Sequence, residues 1–261
     1  MRVIQSLMMA LVVCAQQVTY AQAAMRPLAF EVASVRQAVP PQAGAQTSGG
    51  LRTTGAGQMR QTPDRISYEG VTLRAMLQKA YGLMPSQISG PGWIDDQHYD
   101  VVATIPDGTT KEQVPMMLQN LLLDRFRISL HTEMKEEPVY VLAVAKGGPK
   151  LNAAADGERE SIGMNLPDHE TGSEKLFYTA QTMAQFAGNL SRSLERNVTD
   201  ATGLTGKFDF TMQVESQAGS FAPLPSSLFT AVHDLGLELK PGKAPLKHLI
   251  IDKAQRVPTE N

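Results

Sequence analysis

Few side chains in this 261-residue chain are of the kind that perform chemistry, and fewer stand at an informative spacing. Asp95-Asp96-Gln97-His98 offers two carboxylates and an imidazole within four residues, a donor set suited to a metal ion. It precedes a strand-like run, where Asp ordinarily makes turn hydrogen bonds, so no metal site is assigned. His131 and Glu133 alternate on one strand face ahead of Lys135, Glu136 and Glu137, which reads as the solvated tip of a hairpin. His169 falls in a polar connection. His233 on a helix and His248 on the last strand read as surface or capped histidines. Asp100 and Asp209 each follow an aromatic residue at the start of a strand. Two carboxylates at a defined separation would suit general acid–base hydrolysis, which makes Asp100, Asp209 and His98 the catalytic suspects. The preferred alternative is structural: each Asp accepts backbone hydrogen bonds at an equivalent turn. The usual hydrolase, metalloprotease and dinucleotide motifs are absent from the sequence. Gly50 to Gly57 loosely resembles a phosphate loop, but Ala56 and Gly57 stand where Lys and Ser or Thr are required. No cofactor is expected. Trp93, after Gly90-Pro91-Gly92, reads as a core residue.

The elements that must hold these residues are those of an ordinary folded protein, since 42% of residues are hydrophobic and only 19% charged. A formal net charge of −2 gives no electrostatic support for binding nucleic acid. Residues 1–23 have a basic start at Arg2, an apolar run from Val3 to Ala15 and a small-x-small site at Ala21-Gln22-Ala23. That is the anatomy of a secretory signal peptide, and the run is too short to span a bilayer. The expectation is an exported protein, periplasmic or extracellular. The single cysteine, Cys14, lies inside this segment, and Val13 before it is too large for a lipobox. A mature chain starting near Ala24 then has neither disulfide nor thiolate chemistry.

Alternation over Leu28 to Val35 predicts a strand with Phe30, Val32 and Val35 on one face. Residues 38 to 63 read as a long loop. Ile66 to Tyr68 is a strand. Thr72 caps a helix carrying Leu73, Met76, Leu77 and Ala80, which Gly82 stops. Tyr99 to Ile105 is a strand. Thr110 caps a second helix with Val114, Met117, Leu118, Leu121 and Leu122. Phe126 to His131 and Val139 to Ala145 then form a charged hairpin. After a polar connection at 152–173 a similar order returns: Leu176 to Tyr178, a helix capped by Thr182, and Lys207 to Val214. A helix after Ser226-Ser227 and strands at Leu235 to Leu239 and Leu246 to Asp252 complete it. Tyr68 maps on Tyr178 and Thr72 on Thr182 at an offset of 110, and Asp100 on Asp209 and Leu130 on Leu239 at 109. The fold class predicted is α+β, as two repeated β-α-β-β-α-β-β modules at 64–151 and 174–261, with mainly antiparallel or mixed sheets and helices on one face. Residues 24–63 add an N-terminal strand and loop.

Several blocks carry a resemblance. They include Phe30-Glu31-Val32-Ala33-Ser34-Val35, Ala80-Tyr81-Gly82, Gly90-Pro91-Gly92-Trp93 and Met117 through Phe126. Lys146-Gly147-Gly148-Pro149-Lys150, Thr202 to Gly206 with Phe208-Asp209, and Ile251-Asp252 follow in order. Together they resemble the soil-associated proteins of acidobacterial type, a family with a DUF3738-like domain of unknown function. The resemblance covers almost the entire mature chain, implies export and implies no established activity. The helix–strand runs at Leu73 to Ser89 and Met117 to Leu130 are also similar to the short N-terminal domain of secretins and TonB-dependent receptors, a periplasmic interaction module. The expected function is non-catalytic interaction or ligand binding in the cell envelope, toward an envelope protein or an extracellular ligand. The alternatives are a secreted hydrolase and a structural accessory of the envelope. Sheet edges give the binding reading its physical basis, because unpaired N–H and C=O groups accept an extended partner.

Overall fold

A computed structural model describes residues 28–39, 57–165, 173–216 and 223–259. The expected signal peptide, Cys14, His169 and the loose phosphate-loop motif before Gly57 lie outside the described residues. In chain order, β1 (Ala33–Ala38), β2 (Gln58–Gln61) and β3 (Arg65–Thr72) lead into α1 (Leu73–Tyr81). Then come β4 (Ile88–Ser89), α2 (Trp93–Asp96), β5 (His98–Thr104), α3 (Val114–Arg125) and β6 (Ser129–Val144). The second half holds β7 (Asn152–Ala153), β8 (Ser161–Met164), β9 (Ser173–Gln181), α4 (Met183–Ser193) and β10 (Val198–Asp200). It ends with β11 (Phe208–Glu215), α5 (Pro225–Asp234) and β12 (Leu237–Lys253).

The described residues form three four-stranded sheets: β1-β5-β3-β2, β10-β6-β12-β4 and β7-β11-β9-β8. The two outer sheets are antiparallel throughout. The central sheet pairs β6 with β12 antiparallel and takes β10 and β4 as parallel flanks. Mixed α and β content with mostly antiparallel sheets is the α+β class that the alternating strands predict.

Local signals account for the helices. The Thr72 hydroxyl accepts from the Ala75 N–H, and Thr182 accepts from Gln185, whose side chain returns a bond to the Thr182 N–H. Gly82 ends α1 at φ +66, donating to the Gln78 carbonyl. The apolar stripes read from sequence are buried: Leu73, Met76, Leu77 and Ala80 on α1, and Met183, Phe186, Ala187 and Leu190 on α4. Thr110 does not cap α3. Pro115 fits only a first helical turn, so the helix starts at Val114, after a turn from Thr110 to Gln113. Val32 does not join the core face and is 67% exposed, while Val35 is buried and Phe30 packs on the core edge. The supposed loop at 38 to 63 contains β2, and the polar connection contains β7 and β8.

The larger correction concerns the predicted charged hairpin and the two last strands of the second half. Ser129–Val144 is one strand of 16 residues and Leu237–Lys253 one of 17, so each half ends in a single long strand and not two. The charged run from His131 to Glu136 is exposed, yet it stays extended and paired with β12. It lacks a residue suited to a positive-φ turn. Its polarity reflects position: this stretch of ribbon joins two separate cores.

The first core gathers β3, α1, β5 and α3 around Tyr99 and Phe126, and it also takes Leu249 and Ile251 from the far end of β12. The second gathers β9, α4, β11 and α5 around the stacked and edge-on rings of Tyr178, Phe186 and Phe210, and takes Leu142 from β6. Each long strand therefore leaves its own half and finishes in the other. The short flanks do the same, since β4 pairs with β12 and β10 with β6. Glu136 pairs with Pro245, the residue 109 positions further on, so the topology exchanges the halves about this point.

Candidate functional site

The paired carboxylates come first. The Gly70 N–H donates to Asp100 Oδ1 at 2.8 Å, and the Ala180 N–H donates to Asp209 Oδ1 at 2.7 Å. Both donors sit at the irregularity of their strand pair, just before the helix cap, with left-handed φ of +60 and +50. A bulge leaves its extra N–H without a ladder partner, and a neighbouring Asp satisfies it. The two carboxylates stand in different sheets, each accepting from a backbone N–H of its own half. His98 stands on β5 with Asp100, two residues before it on the same strand face, and its Nδ1 lies 2.9 Å from the Asp96 carbonyl oxygen. Asp95 is held by the fork of Arg74, which also reaches the carbonyls of Pro85 and Ile88. That pairing holds the Asp95 carboxyl below its ordinary range. Trp93 is partly buried against the first core.

The ribbon carries the most ionic of the histidine clusters. His131 Nδ1 lies 2.9 Å from Asp252 Oδ1 and its Nε2 3.4 Å from Glu133, which also meets Lys135 at 2.9 Å. The hydrogen bond to Asp252, and secondarily that to Glu133, raises the His131 pKa above its ordinary value. The cluster is solvent-exposed and no nucleophile joins it. His248, read from sequence as surface or capped, is 4% exposed. Its Nε2 lies 3.0 Å from Glu137 Oε1 but has no aligned hydrogen bond. His233 is exposed on α5. No group of three or more metal-ligating side chains occurs among the described residues.

Two features escaped the sequence reading. Glu160 accepts from Lys111 at 2.6 Å, Lys207 at 2.9 Å and Gln185 at 3.1 Å, tying the turn before α3 to the second half. These partners, Lys111 foremost, hold its carboxyl down at about 2. The other is Glu174 on β9, only 2% exposed. Ser216 donates to its Oε1, and Oε2 has no hydrogen-bond partner among the described residues. Glu174 lines a cleft of about 920 Å³ with Ser173, Lys175, Glu215, Ser226 and Asp234. The signal was present: continuing the alternation of Leu176 and Tyr178 back by two residues puts Glu174 on the inward face.

The sheet edges differ in character. β1 carries Arg36, β2 carries Arg60 and β10 carries Asp200; β4 and β7 are two residues long. β8 is Ser-Ile-Gly-Met, exposed throughout and paired only with β9 among the described residues. Ile162 and Met164 are 51% and 50% exposed, and Phe177 opposite Gly163 is 38% exposed.

The family model described as a protein of unknown function, DUF3738, matches residues 74–254. The chain belongs to that family. In this DUF3738 protein the match runs from α1 to the end of β12, so it includes both cores and the ribbon between them. No curated protein and no solved structure matches the chain. No helix among the described residues of this DUF3738 protein is long and apolar enough to cross a membrane.

Proposed function

We propose that this DUF3738 protein is an exported, non-catalytic interaction protein of the cell envelope, and that it takes up an extended segment of a partner protein along the free edge of β8. The observation that carries this reading is the edge itself. Natural edge strands are guarded by charges, prolines, bulges or extreme shortness. Ser161–Met164 has none of these and is bordered by half-exposed apolar side chains. Main-chain pairing would supply affinity and alternate side chains specificity. Export is supported by the pattern of residues 1–23, and an interaction role by the likeness of the helix–strand runs to the secretin-type short domain. The exchange of equivalent strands about Glu136 and Pro245 supports descent of the halves from one duplicated unit.

The test uses Gly163→Arg. Gly163 has no left-handed φ, and an added Cβ would meet only Phe177 at 3.8 Å, so the variant should fold. Envelope extract is passed over wild type and variant, and amide exchange is followed at residues 161–165. The expected result is a partner retained by wild type, lost by Gly163→Arg, with those amides protected in the complex. Equal retention by the variant, or no protection at β8, overturns the proposal.

A further inference from the structure

The cleft at Glu174 adjoins this edge. Asn165 directly follows β8, lines the cleft and donates its N–H to the Lys175 carbonyl at 3.1 Å. A strand added to β8 advances about 3.3 Å per residue, so the residue one or two places beyond Met164 arrives at the cleft. The walls there are mostly acceptors. Glu174 on the inward face of β9 and Asp234 on α5 are two of the cleft's acids, while Glu215 and Lys175, the one basic residue of the lining among the described residues, take the alternate, exposed strand positions. Hydroxyls of Ser173, Ser226, Ser227 and Thr230 and the amides of Asn165 and Gln213 add to the polar lining.

Glu174 is the decisive residue. A buried carboxylate oxygen without a donor is costly, and a charged donor is the partner that repays it best. Ser216 satisfies Oε1 alone. Glu174 shares its strand face with Leu176 and Tyr178, so its burial follows from the pleat and not from a local accident. In the first half the position 110 residues earlier is Asp64, which is exposed and already accepts from the Thr62 hydroxyl at 2.8 Å. The unsatisfied acid is thus peculiar to the half that carries the unguarded edge.

We infer that the cleft is an amine subsite: it receives the ammonium or guanidinium group of a basic side chain on the extended partner segment that pairs with β8. The inference rests on the edge reading for its occupant. An anion is disfavoured by the carboxylates of Glu174 and Asp234. Metal is disfavoured because these side chains do not assemble a ligand cluster.

The test uses two synthetic peptides of alternating Val and Thr, one with a lysine beyond the pairing stretch and one with norleucine in its place. Binding to the purified protein is measured by fluorescence anisotropy, and n-butylammonium and 1-butanol are titrated separately by NMR. The lysine peptide is expected to bind about tenfold tighter than the norleucine peptide, the scale of one charge-assisted hydrogen bond. Glu174→Gln should reduce that ratio to within about twofold. Asp234→Asn, at an exposed position at the end of α5, should narrow the ratio by about twofold. A lysine preference that is absent in wild type, or that survives in Glu174→Gln, overturns the inference. If n-butylammonium binds through Glu174 while both peptides ignore Gly163→Arg, the subsite stands and the edge reading falls. If neither the peptides nor n-butylammonium bind, the inference is overturned.

Discussion

Gln58–Gln61 and Ser161–Met164 occupy the same register position in their sheets, yet they present opposite surfaces. Met59 stands beside Tyr68 as Ile162 stands beside Tyr178, and Arg60 beside Ser67 as Gly163 beside Phe177. The first half guards its edge with a guanidinium. The second leaves it bare and sets a buried acid next to it. Where the halves agree, the agreement is in parts that build the scaffold: the Thr caps, the left-handed residue before each cap and the Asp that satisfies it. Shared positions therefore mark what the fold requires, and the divergent ones mark where a function can be sought.

The comparison can be broken at several points. The largest effect is expected at the turns that follow α3 and α5. Arg127 and Gly236 are equivalent, both left-handed, with φ of +47 and +73. A Cβ on Gly236 would fall 1.9 Å from the Gly148 carbonyl oxygen. Gly236→Ala should destabilise by about 3 kcal/mol or more in urea unfolding, through steric overlap as well as strain. Arg127→Gly should instead be neutral or stabilise by up to about 1 kcal/mol, because it relieves an unfavourable conformation. Similar losses at both sites would mean that the turns are not organised differently.

Next come the paired acids. Asp100→Ala and Asp209→Ala should each cost about 1–2 kcal/mol by leaving a bulge N–H unsatisfied. The double variant should show the sum of the two, since the sites share no partner. Strong coupling between them in thermal or urea unfolding would revive the hydrolase reading.

The smallest effect belongs to Glu160, which joins the halves. Its folded pKa lies below the ordinary carboxyl value, so its contribution to stability is present above about pH 4.5 and is lost as pH falls toward 2. The melting temperature of Glu160→Gln should therefore lie below that of wild type at pH 6 and converge with it by about pH 2. A constant gap across that range would show that the ion pairs contribute nothing.

Much of the scaffold was legible in the chain. Thr72 with Leu73, Met76, Leu77 and Ala80 announces a capped amphipathic helix, and Tyr99 to Ile105 announces a strand, because caps and periodicity are local. The candidate site was far less legible. Glu174 lay just ahead of the strand read at Leu176 to Tyr178 and was not singled out, and Ser161–Met164 looked like loop, because four residues carry too little pattern to reveal a strand whose partner stands more than ten residues away. The hairpin reading of His131 to Glu137 failed for a related reason. Charge signals solvent, but it does not distinguish a turn from a strand exposed on both faces.

By itself the sequence determined the α+β class, the helix boundaries at Thr72, Gly82 and Thr182, and the inward faces of the long helices. Those depend on residues within one or two turns of each other. Tertiary structure alone decided that β6 and β12 cross between two cores, that Asp100 and Asp209 each bond a bulge N–H of its own half, and that a buried acid adjoins an unguarded edge. Each of these depends on pairing between residues tens to more than a hundred positions apart. A single chain's local pattern says that such strands seek partners, but not which strands they find.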